Sequence, residues 1–160
     1  ANKRTCSYLE KKFSDKPHFQ VVNALISYDQ LEQCWFEYNL PELNATTPAT
    51  SILKELFPGL KLLKSDARMP ISLTTLLSDV AIDGNNNTLI LDCLTSADGM
   101  LDRIFEVASV PFESILVLAS DLRLYESMVT QKELLSKMLQ NGFVHQSTDS
   151  SDPDFPMLKF

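Results

Sequence analysis

Residues Thr88 to Leu94 read TLILDCL, directly behind the run Asp83-Gly84-Asn85-Asn86-Asn87. Gly and Asn tolerate left-handed backbone angles, so 83–87 is the clearest turn in the chain. A continuous apolar run bounded by such a turn predicts a strand buried on both faces, as in a parallel sheet. Leu101, Ile104, Phe105 and Ala108 then recur at helical spacing, and Ser114 to Ala119 (SILVLA) forms a second buried-strand candidate. Strand, helix, strand sets the class as α/β, with a mainly parallel sheet flanked by helices.

Working outward, residues 2–13 predict an amphipathic helix with Cys6, Leu9 and Phe13 on one face, broken by Pro17. Phe19 to Ser27 (FQVVNALIS) is rich in apolar and β-branched residues and predicts a strand. Cys34 to Tyr38 predicts a shorter one. Leu40 to Thr50, with Pro41, Pro48 and three threonines, reads as a loop, and Ser51 to Phe57 as a short helix ended by Pro58-Gly59. Ile71 to Val80 reads as a strand edge running into a helix. Thr130 with Glu133 is a capping box opening a helix whose apolar stripe is Leu134, Leu135, Met138 and Leu139, with Asn141-Gly142 as its stop. Phe143–Ser147 and Phe155–Phe160 are closing strands around an acidic loop (Asp149, Asp152, Asp154).

The 160 residues form a single domain, residues 1–160, large enough for a sizeable core. At 44% hydrophobic the chain is too apolar to be disordered, yet no apolar run is long enough to span a bilayer. The basic start is not followed by a signal-peptide core. A net charge of −7 repels phosphate backbones and anionic lipid, so neither nucleic acid nor a membrane is an expected partner. Cys6, Cys34 and Cys93 lie far apart without CxxC spacing, which predicts buried free thiols in a cytoplasmic protein. The Asn-x-Thr triplets at Asn44 and Asn86 carry no weight without a secretory context.

Chemistry is sparse. His18 and His145 lack metal-ligand spacing, and no GxSxG elbow is present. Gly59, Gly84, Gly99 and Gly142 are all isolated, so no glycine-rich turn offers a dinucleotide or adenosyl cofactor a close backbone approach. Asp92 is better placed. It ends a buried strand, and in open parallel sheets ligands sit beyond the carboxyl ends of strands, although an aspartate there also caps the following turn. Asp121, just past the next strand, has the same two readings.

The order of elements resembles the second part of an FkbM-type methyltransferase, a Rossmann-like branch of the S-adenosylmethionine-dependent enzymes. VVNALIS (Val21 to Ser27) is similar to the family's "vvnaaisd" strand, and ATTPATSIL (Ala45 to Leu53) to its Ser-rich insert. ISLTTLL (Ile71 to Leu77) resembles "vpvtTLDsll", and LILDCLTSADGML (Leu89 to Leu101) resembles "llKiDveGaElevL". DLRLYES (Asp121 to Ser127) with LLSKMLQNGF (Leu134 to Phe143) is similar to the "LYeg … ll…GF" ending. The series runs in order through nearly the whole chain.

Within "DveGaE", Asp92 keeps the aspartate while Thr95 replaces the glycine and Ala97 the glutamate. Leu77 or Thr75, according to alignment, stands at the usual aspartate after "TL". The family's first two strands, which carry the glycine turn and the ribose-binding acid, would precede Ala1. The resemblance therefore implies a degenerate or partial methyltransferase domain, inactive on its own and used for association, with no cofactor bound by this chain alone. The alternative is part of an active O-methyltransferase acting on a saccharide or small metabolite. Its S-adenosylmethionine would bind once the full fold is completed from outside this chain. Asp92 is then expected near the methyl group, with Asp121 and Tyr125 on the acceptor side. A sheet lacking two central strands has exposed edges, which implies a homo-oligomer or a partner chain covering them unless the strands re-pair.

Overall fold

A computed structural model of the chain describes residues 3–80, 86–106 and 112–160. It is a mixed α/β structure with small sheets, some parallel, and helices beside them. The first helix, α1 (Lys3–Lys12), half-buries Cys6 and Leu9, and Phe13 just beyond its end stacks on Phe19 at 4.1 Å between ring centroids. Of the predicted 19–27 strand only β1 (Ile26–Ser27) pairs, in parallel with β4 (Ile71–Ser72). A strand needs a ladder as well as β-branched residues, and 19–24 have no neighbouring strand among the described residues.

β2 (Gln33–Tyr38) pairs antiparallel with β3 (Leu62–Arg68), a strand with no counterpart in the sequence reading. β3 carries few apolar residues and is largely exposed. Its conformation is dictated by β2 and by the side-chain contacts of Arg68. Arg68 reaches Glu37 at 2.5 Å and Asp66 at 3.2 Å, and its guanidinium lies over the Trp35 ring.

The polar 40–50 segment is a structured strap. After a 3₁₀ turn at Pro41–Leu43 it bridges β2 through Phe36 and Ala45, then Tyr125 through Ala49. Leu43, Ala45 and Ala49 are buried with Leu53 of α2 (Ser51–Leu56), Leu124, Tyr125 and Met128 in a second core.

The main core lies on the four-stranded sheet, ordered β5 (Thr88–Leu91), β6 (Ser114–Leu118), β8 (Met157–Lys159), β7 (Ser147–Asp149). β5 and β6 are parallel, joined across α4 (Ala97–Phe105), while β8 runs antiparallel to both its neighbours. Among the described residues two ladders are parallel and three antiparallel, so the parallel share is smaller than the sequence predicts. The closing strands form a hairpin, and a hairpin can only be antiparallel. Phe143–Gln146 stay outside the ladder. Leu101, Ile104, Ile115, Val117, Met138 and Leu158 are almost completely buried together.

β5 is not covered on both faces. Leu91 points into the core, but Thr88 and Ile90 are exposed, Ile90 by 60%. It is half-buried, and its pairing partner among the described strands is β6 alone. Asn86, with a φ of 80°, takes the left-handed angle expected of the preceding turn, whereas 83–85 and Ala108 lie outside the described residues.

Two further helices follow sequence logic closely. α3 (Leu73–Asp79) is capped by Ser72, whose hydroxyl accepts the Thr75 N–H at 3.1 Å. In α5 (Gln131–Gln140) the Thr130–Glu133 capping box is complete, Leu134 and Met138 are buried, and Gly142 ends the turn at φ 85°. Leu139, assigned to the stripe by spacing, is 57% exposed.

Candidate functional site

A cleft of about 660 Å³ opens where the carboxyl end of β1 meets the start of α4. Ser27 ends β1, and Tyr28 and Asp29 follow it into the cleft. Thr95 and Ser96 lie just past β5 and lead into α4, whose spacing puts Asp98, Asp102 and Glu106 in line with Gly99 and Arg103 beside them. Thr46 and Thr47 of the strap and Ser127 complete the lining. The place obeys the rule for open parallel sheets, in which ligands bind beyond the carboxyl ends of strands.

Each wall has a specific cause. Ser27 donates its hydroxyl to Asp29 Oδ1 at 3.0 Å, and the same oxygen accepts the Leu31 N–H at 3.2 Å and Gln33 Nε2 at 3.4 Å. The chain is thereby turned sharply after β1. Thr46 and Thr95 share a hydroxyl hydrogen bond at 3.1 Å, tying the strap to the segment after β5. Thr47 Oγ1 is buried with no hydrogen-bond partner among the described residues. Ser96 is the N-cap residue of α4, yet its hydroxyl donates to Cys93 Sγ at 3.6 Å and caps nothing. Burial pushes the Cys93 thiol up, so it stays protonated, and the Ser96 bond offsets this only in part.

Ser127 holds a φ of 62°, an angle costly for a residue with a Cβ. The segment around it is pinned by Glu126 N–H to the Pro48 carbonyl at 2.9 Å and by Arg123 Nη1 to the Met128 carbonyl at 2.9 Å.

Charge in the cleft is acidic but mostly paired. Lys137 of α5 bonds Asp98 and Asp102, and Arg103 bonds Glu106. Burial lowers the Lys137 ammonium, but the hydrogen bonds to Asp102 and Asp98 outweigh it and leave its pKa raised. Asp29, by contrast, has only neutral donors among the described residues.

The sequence-chosen residues lie elsewhere. Asp92 is exposed after β5 and Asp121 is exposed after β6; neither lines the cleft. Tyr125 is 3% exposed in the second core, and its hydroxyl donates to the Leu43 carbonyl at 2.9 Å. Burial first, then the neighbouring Tyr38, pushes that hydroxyl well above the ordinary tyrosine range. The structure does not bring these three side chains into the cleft. Strand-end logic that selected Asp92 applies equally to Asp29, which follows Ser27, and that was the readable signal.

A Cβ on Gly99 would lie 2.4 Å from a Tyr28 ring carbon, so this glycine is covered by an aromatic ring; Gly59 and Gly142 sit in open turns. Among the described residues no group of three His, Cys, Asp or Glu is placed to hold a metal ion. His18 and His145 are exposed. The three cysteines are free, and Cys34 is exposed where burial was expected. Position 34 lies on β2 opposite Ala67 of β3, also exposed, so this end of the ribbon is uncovered. No helix among the described residues is long and apolar enough to cross a membrane.

No family model, curated protein or solved structure matches the chain.

Proposed function

We propose that this chain is a degenerate or partial FkbM-like methyltransferase domain that works by association and does not turn over on its own. The observation that carries the reading is the open edge of β5, a four-residue parallel strand with β6 on one side only among the described strands, beside an exposed Ile90. An unpaired edge next to apolar surface is a template for another strand. A second copy of the chain offers the same edge, and two such edges related by a two-fold axis are self-complementary. Supporting it, Asp92 and Asp121 are solvent-exposed and Tyr125 is committed to the core, so the three residues expected to carry catalysis do not converge on the cleft.

The cleft favours a second reading. A ligand-sized space with hydroxyls and carboxylates beyond two strand ends suits the acceptor side of an O-methyltransferase for a saccharide or small metabolite. Its S-adenosylmethionine would be held by another segment.

Light scattering on the chain, paired with calorimetry against S-adenosylhomocysteine, separates the two. Association without heat of binding supports the first reading. A monomer that binds the nucleoside overturns it in favour of the second.

A further inference from the structure

We propose that the cleft is a binding site for a small organic cation, a primary ammonium or guanidinium group held between the Asp29 carboxylate and the Tyr28 ring. The inference does not rest on the methyltransferase reading; it follows from how charge is distributed in the cleft. Asp98 and Asp102 share the single positive charge of Lys137, and Glu106 is paired with Arg103. Asp29 is the cleft carboxylate whose partners are all neutral: a serine hydroxyl, a backbone N–H and a glutamine amide, on one oxygen. A half-buried carboxylate without a cation attracts one more strongly than a fully exposed one, because less water screens it.

Next to it, the Tyr28 ring is laid against the first turn of α4. It sits so close to Gly99 that a β-carbon there would contact three of its ring atoms within 2.8 Å. The glycine lets the ring approach the helix closely while 43% of the residue remains exposed, and Tyr28 lines the cleft. An aromatic face beside a carboxylate is the recognition chemistry of organic cations. The hydroxyls of Ser96 and Ser127 lie in the same cleft and supply acceptors for further N–H groups. The chain's net charge of −7 adds long-range attraction of the same sign.

The test is calorimetric titration of the whole chain with putrescine and agmatine, against 1,4-butanediol as the neutral isostere of putrescine. Both cations are expected to bind in the millimolar range or tighter, weakening with added salt, and the diol is not. Asp29→Asn keeps the oxygen that turns the chain and removes only the charge. It should weaken binding about tenfold or more, the scale of a charge-assisted contact. Tyr28→Ala, at an exposed position, should weaken it several-fold. Should Asp29→Asn fail to fold, amide shift mapping on the wild-type chain decides, with changes expected at Tyr28, Asp29, Ser96 and Ser127. The proposal is overturned by absence of cation binding, by equal binding of the diol, by an Asp29→Asn variant that binds unchanged, or by shifts centred elsewhere.

Discussion

Gly99 and Tyr28 form a pair whose energetics have opposite signs in two backgrounds. Alanine is favoured over glycine inside a helix by about 1 kcal/mol. Here a β-carbon would lie 2.4 Å from the Tyr28 ring, which would have to swing off α4. Gly99→Ala should therefore destabilise the chain by about 1 kcal/mol, the lower end of overpacking costs. In a Tyr28→Ala background the same change should stabilise by a similar amount. Denaturant unfolding of the four proteins in a double-mutant cycle checks this, and two changes of equal sign would reject it. Neither partner was legible in the sequence, where Gly99 is only an isolated glycine and Tyr28 only the residue after a strand. A contact between residues 71 positions apart is made by the fold, and local patterns carry no trace of it. Asp29 was within reach of strand-end reasoning, while Asp92 and Asp121 satisfied that reasoning and still face solvent.

At the scale of elements, α5 is where sequence and structure agree best, because its signals are all local. Thr130 accepts the Glu133 N–H, and Glu133 accepts the Thr130 N–H at 2.7 Å. Thr130→Ala should cost about 1 kcal/mol by thermal or urea unfolding. The Thr130 backbone N–H, then its hydroxyl, then Arg123 hold the Glu133 carboxyl below the usual glutamate range. A depressed carboxyl stabilises the fold above its unfolded pKa and loses that contribution as pH falls through the folded value. Glu133→Gln should therefore show a shallower fall in thermal midpoint between about pH 5 and pH 3 than wild type. An identical acid profile would count against the capping role.

β3 shows the reverse case. Its residues, LLKSDAR, have no apolar alternation, and it becomes a strand through β2 and the Arg68 contacts. β5 was legible as a strand but not as a half-buried one, since three apolar residues in a row look the same whichever faces are covered. In β8, Leu158 is fully buried against Val117, so Leu158→Ala should cost about 2–5 kcal/mol in denaturant unfolding.

Taken as a whole, the molecule has two cores. One lies on the four-stranded sheet with α4 and α5, the other under the strap with α2 and the 121–128 segment. Although β3 was not among the strands read, the α/β class was readable from alternating strands and helices. The second core was not, because the strap that builds it is polar in composition and buries only Leu43, Ala45 and Ala49 from a threonine-rich stretch. Among the described strands β5 is paired on one side only, and association through that edge is the central claim. The decisive measurement is the solution mass by light scattering of the wild-type chain and of Ile90→Lys, an exposed position where lysine leaves the core untouched. The expected result is a wild-type dimer or larger species with a mass above the 18.0 kDa of one chain, and an Ile90→Lys variant that is folded and monomeric. A wild-type chain that stays at 18.0 kDa across concentrations, or an Ile90→Lys variant that associates unchanged, would contradict it.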